Sequence, residues 1–243
     1  MDDVSAAKAL IASLDLTSLN DDDTDETIGE LCTKALTPAG KTAAVCVYPR
    51  FIPTARASLP ADIKIATVIN FPTGLADIGL MEKEIASAVR LGADELDVVL
   101  HYRALLGGDI EFCTDYLTHA REACAKKTLK IIIETGELKT VDNIRQAAIL
   151  CINAKADFIK TSTGKTPVSA TPEAANIILE TIFRYGKNTG FKASGGIKTF
   201  ADAKKYLTLA QSIMGPAWPL PGRFRIGASS VLNDLLKTIK QGY

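Results

Sequence analysis

The sequence of 243 residues has little of several features that mark particular classes of protein. Lysine plus arginine and aspartate plus glutamate are equal at 28 each, and aromatic residues make up only 6% of the chain. With no basic cluster, the composition does not favour a nucleic-acid-binding surface. No stretch approaches the roughly 18 uninterrupted apolar residues of a membrane span, and the first residues lack the pattern of a signal peptide. We therefore expect a cytoplasmic protein that binds neither nucleic acid nor membranes.

Cysteine and histidine are also sparse. The five cysteines are scattered, odd in number and never in Cys-x-x-Cys spacing, which argues against both a disulfide framework and a structural zinc site. The two histidines, His101 and His119, are too few for the imidazole-rich ligand set of a catalytic zinc. The acidic run at residues 20–25 lacks the spacing of a calcium loop and is typical of a helix entry. The sequence predicts neither a metal nor a cofactor.

Apolar, β-branched runs recur along the chain with helical patterns between them. Eight strands alternating with helices indicate a parallel sheet, and about 250 residues is the usual length of a closed barrel. We therefore predict an α/β fold, a single (β/α)8 TIM barrel domain over residues 1–243 with extra N-terminal helices. The predicted strands lie at residues 42–48, 63–70, 93–100, 130–135, 156–161, 190–194, 212–214 and 225–228. The predicted helices lie at residues 6–14 and 24–36 before the first strand, and then at 78–91, 110–125, 141–154, 172–185, 200–210 and 231–239.

Two lysines lie on consecutive predicted strands. Strand alternation places Lys160 on one face with Phe158, and Lys192 on one face with Gly190. If both faces line the barrel interior, the ammonium groups come within roughly 5 Å of each other, because neighbouring strands lie about 4.8 Å apart. At an effective dielectric constant near 20 they then repel by about 3 kcal/mol, which lowers the pKa of one lysine by roughly two units. This pattern predicts a nucleophilic lysine that attacks a carbonyl. The alternative is that one or both of these side chains reach water at the strand ends.

Polar groups at the carboxyl ends of strands are candidates for chemistry in such a barrel. Asp97 interrupts an apolar run, and its carboxylate is either a structural partner for a lysine or a catalytic group beside Lys160. Anion binding is predicted where glycine-rich turns expose backbone amides at strand ends, although every barrel needs tight turns. These turns are Gly164-Lys165, Ser194-Gly195-Gly196 and Gly227-Ala-Ser229-Ser230.

Several segments, in chain order, resemble the 2-deoxyribose-5-phosphate aldolase family. The resemblance runs from Asp15 to the C-terminus, and the combination of the Lys160 and Lys192 motifs is highly specific. One departure is Leu100-His101, where the better-known bacterial members carry Phe-Pro in a loop beyond Asp97. The matching segments are Asp15-Leu-Thr17-Ser-Leu-Asn20, Val45-Cys46-Val-Tyr-Pro-Arg-Phe51, Glu95-Leu-Asp97-Val-Val, Glu134-Thr-Gly-Glu-Leu, Phe158-Ile-Lys160-Thr-Ser-Thr163-Gly164-Lys165, Lys192-Ala-Ser-Gly195-Gly196 and Gly227-Ala-Ser229-Ser230.

The resemblance implies an activity and roles for individual residues. The implied reaction is the reversible cleavage of 2-deoxy-D-ribose 5-phosphate to D-glyceraldehyde 3-phosphate and acetaldehyde, in the catabolism of deoxyribose phosphate. Lys160 would form a Schiff base, Lys192 would perturb its pKa and Asp97 would relay protons. No cofactor or metal is implied. The expected partners are small phosphorylated sugars and aldehydes, and a homodimer is left open.

The resemblance also implies substrate-binding residues. Cys46 matches a position near the substrate, although the role of a small buried apolar residue fits it equally well. Some members end in a tyrosine thought to assist proton transfer to the enamine carbon, which implies a catalytic role for Tyr243. The other implied substrate-binding residues are Asp15, Thr17, Asn20, Thr163, Gly164, Lys165, Gly195, Gly196, Gly227, Ser229 and Ser230.

Two other functions stay open. Another Schiff-base barrel, such as a transaldolase-like or fructose-type aldolase, would use the same lysine chemistry with a different donor. A phosphosugar-binding protein without catalysis would need only the anion-binding turns. Assays with acetaldehyde against dihydroxyacetone phosphate as donor distinguish the first, and any turnover excludes the second.

Overall fold

The computed structural model describes residues 1–186 and 188–242. Within these ranges eight parallel strands close into a barrel, in which each strand pairs with the barrel strands before and after it in the chain and β1 closes the ring between β10 and β4. This is the architecture of a (β/α)8 TIM barrel, as predicted. The barrel strands are β1 (Leu14–Thr17), β4 (Ala44–Val47), β5 (Lys64–Ile69), β6 (Glu95–Val99), β7 (Thr128–Ile132), β8 (Phe158–Lys160), β9 (Gly190–Ser194) and β10 (Phe224–Ala228). A separate antiparallel pair consists of β2 (Leu36–Thr37) and β3 (Gly40–Lys41).

Helices cover the outside of the barrel. In the part of the chain that the structure describes, no helix is long and apolar enough to cross a membrane. A 3-10 turn at Pro49–Phe51 precedes the third helix. The helices are α1 (Asp3–Ala12), α2 (Asp25–Lys34), α3 (Ile52–Ser58), α4 (Ile78–Leu91), α5 (Tyr102–Leu106), α6 (Ile110–Cys124), α7 (Thr135–Leu138), α8 (Val141–Asn153), α9 (Pro172–Tyr185), α10 (Phe200–Met214) and α11 (Val231–Gln241).

Capping residues define the helices that the sequence predicts best. The side chain of Asp77 accepts a hydrogen bond from the Leu80 amide at the start of α4, and Thr171 does the same for Ala174 at the start of α9. Such side chains satisfy amides that have no partner within the helix. Both helices have the bounds predicted from the sequence.

One predicted strand is wrong, and one strand of the barrel was not predicted. Residues 212–214, predicted as a strand, form the last turn of α10, which continues to Gly215 with its positive φ of 98°. The strand that closes the barrel is instead β1, which begins at Leu14, the last residue of the predicted first helix, and continues to Thr17. Its four residues include Asp15, which breaks the apolar pattern. Only α1 is therefore an extra N-terminal helix, whereas α2 connects β1 to β4.

The barrel interior is divided between apolar and charged side chains. A small apolar cluster fills one part of the interior. In the other part, charged side chains from several strands point inward, and their exposed fractions are 0–7%. The larger core lies between the strands and the covering helices. Burial of several charges in one cavity is favourable only when they pair with each other, so this side of the interior positions the candidate site. The apolar cluster comprises Leu19, Ala44, Cys46, Ala66 and Val68.

Candidate active site

Lys160 and Lys192 face each other in the barrel interior. They occupy paired positions in the register between β8 and β9, and their exposed fractions are 2% and 0%. The alternative that one or both side chains reach water is therefore wrong. Gly227 on β10 makes room for Lys192, because a Cβ there would lie 2.9 Å from its Cε and 3.0 Å from Oγ of Ser194.

Asp97 is the carboxylate that joins the lysines. Its Oδ2 lies 2.8 Å from Nζ of Lys160 and 2.8 Å from Nζ of Lys192, and its Oδ1 accepts from Nζ of Lys130 at 2.7 Å. Asp97 is fully buried on β6. Asp97 is thus a structural partner of three lysines, one of which is Lys160, and its catalytic role stays a prediction.

A larger buried ion network surrounds these residues, and the sequence analysis missed three of its members. Lys130 contacts Glu95 at 2.6 Å, and Arg225 donates to Glu95 at 2.9 Å. Asp15 accepts from both Lys192 and Arg225. A signal was present in strand alternation, since Glu95 lies two residues before Asp97 and thus faces the same way. A charged residue at a predicted strand position is, however, more often exposed than buried.

The network is unbalanced by one charge. Among the described residues it contains four basic side chains, Lys130, Lys160, Lys192 and Arg225, and three carboxylates, Asp15, Glu95 and Asp97. With every group ionised it would carry one net positive charge in an interior of low dielectric constant, where uncompensated charge is costly. Neutrality is restored when one of the lysines loses its proton.

Of the three buried lysines, Lys160 is the one that loses its proton most readily. Burial lowers its pKa, Asp97 opposes the shift and the charge of Lys192 adds to it, so that the pKa of Lys160 lies below the usual value. Lys192 is equally buried, but Asp15 and Asp97 together raise its pKa. The direction predicted for Lys160 is thus the one found. Its principal cause is burial rather than repulsion, because two carboxylates compensate the charge of Lys192.

Asp97 and Lys130 remain charged. Burial alone would raise the pKa of Asp97, but Lys130, Lys160 and Lys192 hold it well below its usual range. For Lys130, contacts with Asp97 and Glu95 outweigh burial and raise the pKa. Lys130 therefore acts as a fixed cation, and Asp97 as a fixed anion that accepts hydrogen bonds from the three lysines.

A polar cavity of about 220 Å³ lies over the carboxyl ends of the strands. Ser230 precedes α11, so the positive end of that helix dipole points to the cavity. Gly195 and Gly196, which line the cavity, have φ of 87° and 78°, a conformation that favours glycine. The cavity brings together ten predicted substrate-binding residues, Thr17, Asn20, Thr163, Gly164, Lys165, Gly195, Gly196, Gly227, Ser229 and Ser230.

Two lysines contribute positive charge to this cavity. Lys165 donates to the carbonyl of Leu19 at 2.8 Å and so ties the loop after β8 to the loop after β1. Lys198, which the sequence analysis missed, also lines the cavity. Its position two residues beyond Gly196 is the signal that could have identified it. Both cations suit a phosphate ligand.

A buried carboxylate anchors the loop that carries Gly164 and Lys165. Glu134 follows β7 in the left-handed conformation, with φ of 53°. It accepts hydrogen bonds from the Thr163 hydroxyl at 2.5 Å, from the Thr163 amide at 3.3 Å and from the Thr166 hydroxyl at 3.3 Å. Burial raises the pKa of Glu134. Glu134 thus fixes the loop rather than facing the cavity.

The remaining predicted residues lie in different surroundings. Asp15 and Cys46 lie in the barrel below the cavity, and burial raises the pKa of the Cys46 thiol. The Leu100-His101 departure is accommodated locally, since Nδ1 of His101 lies 2.5 Å from the carbonyl oxygen of Gly74 and its ring packs on Phe112. Tyr243 lies outside the described residues.

Comparisons with known proteins agree with this architecture. The sequence profile of the DeoC/LacD family aldolases matches residues 9–237. A structure from Toxoplasma gondii ME49, provisionally named deoxyribose-phosphate aldolase, has a TM-score of 0.89 at 24% identity, over 98% of this chain and 95% of that one, and supports the fold alone. A structure from Coccidioides immitis with the same provisional name has a TM-score of 0.84 at 29% identity, over 96% and 86%.

A third solved structure, described as QR15, an aldolase, has a TM-score of 0.83 at 30% identity and covers 96% of this chain and 97% of that one. The family profile extends over nearly the whole chain, including every strand of the barrel and the three interior lysines, Lys130, Lys160 and Lys192. This chain therefore belongs to the DeoC/LacD family of aldolases.

Proposed function

We propose that this aldolase reversibly cleaves 2-deoxy-D-ribose 5-phosphate to D-glyceraldehyde 3-phosphate and acetaldehyde through a Schiff base on Lys160, in the catabolism of deoxyribose phosphate. The observation that carries the proposal is a buried lysine of lowered pKa below a polar cavity lined with glycine amides and lysines. The names of the related solved structures support the choice of substrate.

In the proposed mechanism the neutral amine of Lys160 attacks the aldehyde carbon of the open-chain sugar. Loss of water from the resulting carbinolamine gives a protonated imine, which withdraws electrons from the adjacent carbon. Acetaldehyde contains carbons 1 and 2, so the bond that breaks joins carbons 2 and 3. The 3-hydroxyl loses its proton and becomes the aldehyde of the three-carbon product, while the bonding pair forms an enamine. Protonation of the enamine and hydrolysis of the imine release acetaldehyde and restore Lys160.

Protons for these steps would move through Lys192 and Asp97. The Oδ2 atom of Asp97 accepts from Lys192 and Lys160 at the same distance, 2.8 Å, so a proton on either nitrogen has a hydrogen-bonded route toward the other. Lys192 keeps its proton because Asp15 and Asp97 raise its pKa. It is thus the acid in the pair, and Lys160 the nucleophile.

The substrate phosphate would bind in the cavity above. The amides of Gly195 and Gly196 and the positive end of α11 supply hydrogen bonds and a favourable dipole, and Ser229 with Ser230 adds hydroxyl donors. Lys165 and Lys198 supply charge. This placement fixes the sugar so that its aldehyde end extends into the barrel toward Lys160.

The experiment is trapping with acetaldehyde and borohydride, followed by peptide mapping. We expect one two-carbon adduct, on Lys160, and none in Lys160→Met. An adduct on Lys192 with Lys160 unmodified would reverse the two roles. Trapping of dihydroxyacetone phosphate in preference to acetaldehyde would identify a different Schiff-base aldolase, and the absence of both adducts and turnover would leave a binding protein.

We also propose that residues 1–243 form a single domain of a cytoplasmic protein whose partners are small phosphorylated sugars and aldehydes, and that it forms a homodimer. The described cysteines are all free thiols, which is typical of a reducing compartment. Sedimentation equilibrium of the purified chain tests the dimer, since a monomer at micromolar concentration would contradict it.

A further inference from the structure

Among the described residues, two members of the ion network contact none of Lys160, Lys192 and Asp97. Glu95 and Arg225 are 3% and 6% exposed and form a pair deeper in the barrel. Arg225 donates to Glu95 through both terminal nitrogens, at 2.9 Å and 3.2 Å, and its guanidinium lies 5.4 Å from the centre of the Phe158 ring. Its Nε donates to the carbonyl of Pro221 at 2.5 Å. The pair is therefore held rigidly in place.

Lys130 connects this pair to the reacting lysine. Its ammonium lies 2.6 Å from Glu95 and 2.7 Å from Oδ1 of Asp97, whereas Asp15 is farther away at 3.5 Å, so Glu95 and Asp97 are its two nearest carboxylates. The other oxygen of Asp97 accepts from Lys160. The extent to which Asp97 stabilises a proton on Lys160 therefore depends on how fully Glu95 compensates Lys130.

The charged and titratable neighbours of Lys160 itself are few. Asp97 faces it from β6, Lys192 from β9 and Cys46 from β4. Glu95 faces Lys130 and Arg225, and Arg225 also faces Asp15. An effect of Glu95 or Arg225 on Lys160 must consequently pass through Lys130, Asp97, Asp15 or Lys192.

We propose that Glu95 and Arg225 are positioning residues that set, through Lys130 and Asp97, how readily Lys160 loses its proton. The inference rests on the proposed Schiff-base role of Lys160 and deepens it. One member of the pair is an anion and the other a cation, so their removal should act on Lys160 in opposite directions.

The signs follow from the hydrogen bonds. In Glu95→Gln, Lys130 depends on Asp97 for compensation, less of the Asp97 charge is left for Lys160, and Lys160 loses its proton at lower pH. In Arg225→Met, Glu95 and Asp15 are freed to compensate Lys130 and Lys192, so that Asp97 holds the proton on Lys160 more strongly. Each change should move the deprotonation of Lys160 by about one pH unit. The double variant removes one charge of each sign and should restore the wild-type value.

The test measures the rate of borohydride trapping of acetaldehyde at Lys160, by peptide mapping, as a function of pH. The acid limb should move to lower pH in Glu95→Gln, to higher pH in Arg225→Met and return to within about 0.3 units of wild type in the double variant. Asp94→Asn is the matched control, since Asp94 precedes Glu95 but pairs with Arg56 outside this network, and it should leave the limb in place.

The outcomes separate this inference from the proposed function. If the wild type forms no adduct on Lys160, the proposed function fails. If the adduct forms on Lys160 and the acid limb does not move in Glu95→Gln, or moves in the same direction in both single variants, the positioning role is wrong and the pair is only structural. If Arg225→Met does not fold, Glu95→Gln and the double variant still test the proposal. The acid limb should shift in Glu95→Gln and stay near the wild-type position in the double variant.

Discussion

The Nζ atoms of Lys160 and Lys192 donate to the same atom, Oδ2 of Asp97, each from 2.8 Å. Asp15 gives Lys192 a second carboxylate, whereas Asp97 is the only carboxylate that pairs with Lys160 among the described residues. Two lysines that are neighbours in the sheet and equally buried thus differ in proton affinity, because one has more compensating charge than the other. The proposed roles of Lys160 as nucleophile and Lys192 as acid rest on this asymmetry.

Lys192→Leu should raise the pKa of Lys160, because Asp97 would then compensate one lysine fewer at Oδ2. We expect a rise of roughly two units and a loss of about a hundredfold in activity at neutral pH, with partial recovery in alkali. The measurement is kcat/KM for deoxyribose 5-phosphate against pH. Lys237→Leu, at an exposed position on α11, is the control and should keep the wild-type profile. A residual activity whose pH profile is unshifted would mean that Lys192 acts mainly as a proton donor.

Lys160→Met should stabilise the fold while abolishing activity. Asp97 keeps Lys130 and Lys192 as partners in this variant, so no carboxylate is left unpaired. The pKa of Lys160 is lower in the folded chain than in the unfolded chain, where it is near 10.5. Lys160 therefore destabilises the folded protein at pH values below 10.5, and this effect disappears at higher pH. The gain, about 1 kcal/mol at pH 7, should therefore shrink as pH rises toward 10. Urea unfolding at several pH values measures it.

Lys130→Met is the matched comparison for that experiment. It removes the cation shared by Glu95 and Asp97, so that with Lys160 neutral the three carboxylates of the network face only two cations, Lys192 and Arg225. The free energy of unfolding should fall by about 3–5 kcal/mol. Equal effects of the two substitutions on stability would contradict the charge balance described for the network.

Ser229→Asp should weaken the recognition of phosphate, since it places a negative charge in the cavity at the positive end of α11. We expect the preference for deoxyribose 5-phosphate over plain deoxyribose to shrink by about tenfold or more, mainly through KM. Ser229→Ala controls for loss of the hydroxyl alone. Unchanged discrimination between the two sugars would show that the phosphate binds elsewhere.

Glu134→Ala should raise KM for the phosphorylated sugar while the rate of acetaldehyde trapping at Lys160 stays near wild type. The reason is that Glu134 holds the amide and hydroxyl of Thr163, directly before Gly164 and Lys165, but does not contact Lys160. Glu137→Ala, on α7, is the control. If trapping and KM deteriorate together, Glu134 supports the barrel rather than the loop alone.

Tyr243→Phe should lower kcat and leave KM and trapping at Lys160 largely intact, as a phenol can donate a proton to the enamine carbon. The variant should also slow the exchange of acetaldehyde methyl protons in deuterated water, the half-reaction that isolates this step. Exchange at the wild-type rate would assign that proton transfer to the barrel interior.

Local signals explain what the sequence could predict. Helices with a capping side chain, such as Asp77 before α4 and Thr171 before α9, were predicted with correct bounds because the cap and the apolar period agree. The strand β1 escaped prediction because Asp15 interrupts it, and the partners that make Asp15 tolerable lie on β9 and β10, more than 170 residues away. Residues 212–214 were misassigned because an apolar turn at a helix end is indistinguishable from a short strand without its neighbours.

The same limit applies to the site. Lys160 and Lys192 could be identified because each lies on a short predicted strand that a glycine signal follows, and the resemblance implied their roles. Lys130, Glu95 and Arg225 carry no motif, and their burial depends on pairing across β6, β7 and β10. Only the closed barrel brings these charges together. The excess of one basic side chain in the network, and its effect on the protonation of Lys160, therefore cannot be predicted from local sequence patterns.

The burial of all five cysteines has a practical consequence. Burial raises the thiol pKa to about 11 for Cys32 and Cys113 and to about 12 for Cys124, so the reactive thiolate is scarce in the folded protein at neutral pH. A thiol reagent can therefore modify the chain only as fast as segments of it open. Cys46, inside the barrel, would record opening of the sheet, and the other four would record detachment of the covering helices. The labelling rate of each cysteine therefore reports the opening of its own segment, and mass spectrometry of labelled peptides can measure each rate separately.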